Sequence, residues 1–121
     1  MNPEITINQL SVKLMGEDEL HLAIVYGADH FEFSSFDLEC DGELYFKRLS
    51  NVLSKLTPEG QLFNFDNERN ILTFSNFDTK VCKEWILDEL IDNKGSINRD
   101  TASTLLEGIY ECFAQLKASS Y

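Results

Sequence analysis

Apolar and polar residues alternate with a period of two through the first forty positions, and such alternation commits a chain to half-buried β-strands. Ile5 and Ile7 flank Thr6, and Leu10, Val12 and Leu14 enclose Ser11 and Lys13. The parity slips by one at Asn8-Gln9, which marks either a bulge in one long strand or a break between two short ones. Gly16-Glu17-Asp18 predicts a hairpin turn. Leu20, Leu22, Ile24 and Tyr26 then face one way, and His21, Ala23 and Val25 face the other. A strand apolar on both faces belongs in the middle of a sheet. After Gly27-Ala28-Asp29 a third strand starts with Phe31 and Phe33. The parity slips again at Ser34-Ser35, after which Phe36, Leu38 and Cys40 are expected to point inward and Asp37, Glu39 and Asp41 outward.

The period then changes to that of a helix. From Glu43 to Leu56, the residues Tyr45, Phe46, Leu49, Val52, Leu53 and Leu56 fall on one arc, with Asp41 as the N-cap and Lys55 at the end that favours a cation. Thr57-Pro58-Glu59-Gly60 stops it. Phe63 and Phe65, a polar turn from Asp66 to Asn70, and Leu72 and Phe74 make a hairpin. A second helix is expected from Asp78 or Thr79 to Asn93-Lys94-Gly95. Its apolar residues lie on two sides, with Val81, Cys82, Trp85 and Ile86 on one and Leu87, Leu90 and Ile91 on the other. Such a helix is sandwiched between layers or carries an interface, and Trp85 is the residue to watch. A third helix, capped by Asn98 or Asp100 and ending near Lys117, aligns Ala102, Leu105, Leu106, Ile109, Tyr110, Phe113 and Leu116, with Glu107 and Glu111 opposite. The expected fold is a single α+β domain over residues 1–121, an antiparallel sheet of about five strands with three helices packed on one side. Consecutive hairpins argue against a parallel, doubly wound sheet.

The charge is as uneven as the periodicity. The 121 residues carry 21 Asp and Glu against 10 Lys and Arg, a formal net charge of −11. Residues 1–43 hold ten acidic groups and a single base, Lys13. From Glu17 to Glu43 there are nine carboxylates and no Lys or Arg: Glu17, Asp18, Glu19, Asp29, Glu32, Asp37, Glu39, Asp41 and Glu43. A chain so poor in cations is not built to hold a phosphate backbone directly. At 43% apolar and 26% charged it is neither disordered nor membrane-spanning. The Met-Asn-Pro-Glu start lacks a basic and an apolar leader segment. Cys40, Cys82 and Cys112 are widely spaced with no C-x-x-C, and read as buried, reduced thiols of a cytoplasmic protein.

Catalytic chemistry finds little support. His21 and His30 are the only histidines, on neighbouring strands that could bring them near each other and near Cys40, yet the spacing does not require it. No Gly-rich phosphate loop, G-x-S-x-G or H-E-x-x-H occurs, so no enzyme and no cofactor are expected. Asp37-Leu-Glu-Cys-Asp-Gly42-Glu43 resembles the start of a calcium-binding EF-hand loop, with carboxylates at positions 1, 3 and 5 and glycine at 6. Position 12, which should be a bidentate Glu, is Arg48, and the preceding segment alternates as a strand. A strand with an outward acidic face running into a helix cap accounts for the same residues, and no metal is expected.

In size, acidity, cytosolic character and charge clustering the chain resembles bacterial immunity proteins, in particular those of contact-dependent growth inhibition systems. That resemblance implies an inhibitor that fills the basic cleft of a nuclease toxin domain with carboxylates and is steered there by its charge. The partner-binding residues expected are Asp29, Glu32, Asp37, Glu39, Asp41 and Glu43, extended by Glu17, Asp18 and Glu19. Partner and mode of engagement stay open, and an anti-CRISPR or other nucleic-acid mimic would have the same character. The alternative is a type III secretion chaperone, which the chain is similar to in size and acidity. Its apolar second helix would serve as a dimer interface, but such chaperones generally open with an amphipathic helix, whereas this chain opens with Pro3 and Ile5-Thr6-Ile7.

Overall fold

The structure, a computed structural model, describes residues 4–7, 9–56, 62–76 and 80–119. Asn8, the predicted helix stop at 57–60 and the predicted cap at Asp78 or Thr79 lie outside the described residues, as do the side chains of Val81, Leu116 and Lys117.

The first parity slip is a break between strands. β1 (Ile5–Ile7) and β2 (Leu10–Met15) pair antiparallel with Ile7 opposite Leu10. Gly16, at φ +94°, turns the chain toward β3 (His21–Tyr26), and a Cβ there would collide with the Glu19 carbonyl. β3 pairs with β4 (Asp29–Ser34) across the two-residue loop Gly27-Ala28, whose glycine supplies the positive φ of a tight hairpin. The sheet order is β1-β2-β3-β4, so β3 is internal as its two apolar faces require. Ile5, Leu10, Val12, Leu14, Leu22, Ile24 and Phe33 form the buried face, and Thr6, His30 and Glu32 are exposed on the other.

Past Ser34 the expected strand does not continue. The chain forms α1 (Ser35–Cys40), because the Ser34 hydroxyl accepts the Asp37 N–H at 3.0 Å and caps a helix. Residues two apart then lie about 200° apart around the axis, so a period-two pattern cannot hold one face. Leu38 is buried, but Phe36 and Cys40 are exposed, and Asp37, Glu39 and Asp41 share no outward face. α2 (Gly42–Leu56) follows at once. The Asp41 carboxylate accepts the Leu44 N–H at 3.2 Å, the expected cap, and Phe46, Leu49, Leu53 and Leu56 are buried.

β5 (Phe63–Asp66) and β6 (Ile71–Asn76) form the expected hairpin, with Phe63 opposite Phe74 and Phe65 opposite Leu72. The Asp66 carboxylate accepts the N–H groups of Glu68 and Arg69 across its turn. The expected second helix is not formed. Its residues make a third strand, β7 (Val81–Ile86), and a single helical turn, α3 (Leu87–Leu90). Of the two apolar sides expected of a helix, Val81, Cys82, Trp85 and Ile86 make the strand that pairs with β6, while Leu87 and Leu90 lie in α3 and Ile91 just beyond it. Trp85 lies opposite Leu72 on the inner face, Ile86 opposite Ile71 on the outer, and Leu87 is buried in the turn beyond.

α4 (Arg99–Ser119) starts at Asn98, whose side chain accepts the Asp100 N–H at 2.8 Å. Ala102, Leu105, Leu106, Ile109, Tyr110 and Phe113 are buried as the arc predicts, and Glu107 and Glu111 are exposed. α4 packs on β1, β2 and β3, and its Phe113 ring stands 5.4 Å from that of Phe63 in the second sheet. Trp85 lies against Gly108 of α4. Both sheets therefore contribute to one hydrophobic cluster. The class is α+β and antiparallel, but the described strands form sheets of four and three, and the described helices number four.

Candidate functional site

Ser35 determines where the acidic turn sits. Its N–H donates to the Leu20 carbonyl at 2.8 Å, and its hydroxyl accepts the Leu20 N–H at 3.1 Å, both in the interior. This pair of hydrogen bonds between the entry to β3 and the start of α1 sets the β2–β3 turn, with Glu17, Asp18 and Glu19, beside α1. A second junction brings in α4. Gly42 is buried against Ile97, so closely that a Cβ would fall 2.5 Å from Ile97 Cγ1. Arg99, two residues on, donates from Nε to Glu39 Oε2 at 3.2 Å. Between turn and helix lies an open cleft of ≈ 220 Å³ lined by Asp18, Glu19, Ser35, Phe36, Glu39 and Arg99.

The nine expected partner-binding residues divide. Glu17, Asp18 and Glu19 are exposed on the turn, and Glu32 stands on the outward sheet face with Oε1 3.1 Å from His21 Nδ1. Glu19 Oε1 lies 3.8 Å from Nε2 of the same ring, so His21 sits between two carboxylates. Asp37, half-buried, occupies the first turn of α1, where the helix dipole favours an anion. Asp41 caps α2, and Glu43 pairs with Lys47 at 3.2 Å. Asp29 is set apart. It lies at the far end of β4, five residues and about 17 Å from Ser34 at ~3.4 Å per residue. The pairs to Lys47 and Arg99 are solvent-accessible and contribute little to stability.

The histidines are not brought together. His21 faces Ser34 and His30 faces Val25, four residues along the same strand pair, about 13 Å at ~3.3 Å per residue. The residues of the calcium-loop pattern are helical from Asp37 to Cys40, with Asp41 capping α2 and Glu39 on Arg99. Among the described residues no group of three or more His, Cys, Asp or Glu is arranged to hold a metal ion. The three cysteines are free, but only Cys112 is buried, its thiol pushed up to about 12 by desolvation. Cys40 is turned outward by the helix that replaced the strand, and Cys82 is exposed on β7, its Sγ 3.9 Å from Ser75 Oγ.

Sequence reasoning assigned Phe36 to the core and did not single out Ser35 or Arg99. Ser34 with Asp37 three residues on is a capping pattern that signals the helix and hence the exposure of Phe36. Nothing local signals Arg99, which is sixty residues from Glu39 in the chain. Comparison with protein-family models, curated proteins and solved structures returned no match. No helix among the described residues is long and apolar enough to cross a membrane.

Proposed function

We propose that this chain is an acidic cytoplasmic inhibitor of the immunity-protein kind, not an enzyme, which neutralises a basic nuclease toxin domain by electrostatic complementarity. One observation carries the reading. Nine carboxylates from Glu17 to Glu43 occur without a Lys or Arg, and six of them, Glu17, Asp18, Glu19, Glu32, Asp37 and Glu39, cluster around one end of the first sheet. Like charges so grouped repel, and a cationic surface laid over them relieves that cost. A nuclease must present such a surface to hold a phosphate backbone, so carboxylates can occupy it in place of the substrate. Asp41 and Glu43 extend the contact along the α1–α2 corner, and Asp29 falls outside it. The chaperone reading drew on an apolar second helix; those residues form β7 and α3, with Trp85 packed on the core.

The test is affinity capture from the native host with the wild-type chain and with Asp18→Lys/Glu19→Lys/Glu39→Lys. The expected captured protein is basic, cleaves nucleic acid, and is inhibited by the wild type. The triple reversal should slow association and flatten its dependence on ionic strength, while Glu107→Lys/Glu111→Lys on α4 should do much less. A partner without excess positive charge, or binding indifferent to salt and to the triple reversal, would overturn the reading.

A further inference from the structure

The cleft between the β2–β3 turn and α1 combines two features. It exposes an aromatic ring, Phe36, at 54% accessibility, on a helix whose neighbouring Leu38 is fully buried. It also already holds a guanidinium, that of Arg99 on Glu39, with the Arg99 side chain 64% exposed. Aromatic residues desolvated at the centre of an interface dominate its energy, and a rigid site loses least on binding. Ser35, buried and bonded to Leu20 in both directions, supplies that rigidity at the floor of the cleft.

Resting on the acidic-interface reading, we propose that this cleft is the partner's anchor point and receives an Arg side chain next to an apolar one. The incoming guanidinium takes the place of Arg99 on Glu39, within reach of Asp18 and Glu19, and Phe36 covers the apolar neighbour. Arg fits better than Lys, because its planar fork suits carboxylates and stacks on an aromatic ring. Arg99 is then an internal competitor, and removing it should tighten binding.

The probe is the acetylated, amidated tripeptide Arg-Leu-Arg, titrated at low ionic strength into the full isotopically labelled chain and followed by amide chemical shifts. The shifts should centre on Asp18, Glu19, Phe36 and Glu39. Arg99→Ala should tighten binding roughly two- to fivefold, the worth of an exposed ion pair. Arg69→Ala, which changes the net charge equally but sits in the β5–β6 turn, should leave the affinity unchanged. Phe36→Ser should weaken Arg-Leu-Arg more than Arg-Ser-Arg, and its amide spectrum reports whether the fold persists. The inference is overturned if Arg99→Ala weakens binding or matches Arg69→Ala, or if Phe36→Ser has no effect. If the shifts then spread over Glu32, Asp37, Asp41 and Glu43 and fade with salt, the acidic interface survives without its anchor. If the peptide moves none of the residues from 17 to 43, both readings fall.

Discussion

Ser35 holds Leu20 through its amide and its hydroxyl, and this small residue therefore decides where the acidic turn lies. Ser35→Ala keeps the helix and the space but leaves the Leu20 N–H buried without an acceptor. It should lower stability by about 1–3 kcal/mol in urea denaturation with the m-value unchanged. A loss within error would show that the amide finds another partner. The thiols offer a second test at this scale. Cys40 and Cys82 should react with an aromatic disulfide in the native protein, and Cys112 only after unfolding. Burial lifts the Cys112 thiol from 9.0 to about 12. Between those pH values the unfolded chain has lost a proton that the folded chain keeps, so this group's stabilisation is intact below pH 9 and declines as pH rises toward 12. Cys112→Ala should flatten that alkaline decline relative to the wild type.

The helices that sequence alone identified are those long enough to show a period. α2 and α4 carry apolar arcs over several turns, and most of the residues the arcs name are buried, with Ser50 and Cys112 buried beside them. Two short segments went otherwise, although the β5–β6 hairpin formed as expected. Six residues from Ser35 satisfy a strand pattern, yet a serine cap and the burial of Leu38 alone made a helix. Six residues from Val81 were read as helix, yet the free edge of β6 and the interior behind Trp85 made a strand. Isolated short helices and strands are marginal, so their type is decided by what they pack against. The junction of α1, α2 and α4 tests this directly. Gly42→Ala places a methyl group into Ile97, and should cost about 1–3 kcal/mol although alanine is the better helix former. An unchanged or raised melting temperature would mean that the junction yields.

At the scale of the whole molecule, the net charge of −11 works against folding and for association. Salt should therefore act with opposite signs on the two. Raising ionic strength to about 0.15 M, where screening reaches within ~8 Å, should raise the melting temperature of the free chain. The same salt should slow its association with a cationic partner. A melting temperature indifferent to salt would mean that the carboxylates lie too far apart in the fold to repel.

Periodicity, turn residues and charge order determined the antiparallel pairing, the β5–β6 hairpin, the two long helices and the acidity of the first third. These are properties of neighbours in the chain, set by side-chain alternation and by glycine at the turns. The candidate site was legible only as a list of carboxylates. Tertiary structure decided that Asp29 stands apart, that Phe36 faces water, that Arg99 meets Glu39, and that the strands divide between two sheets. Each of these depends on burial against residues distant in sequence, and a local pattern holds no information about which distant surface a short segment will cover.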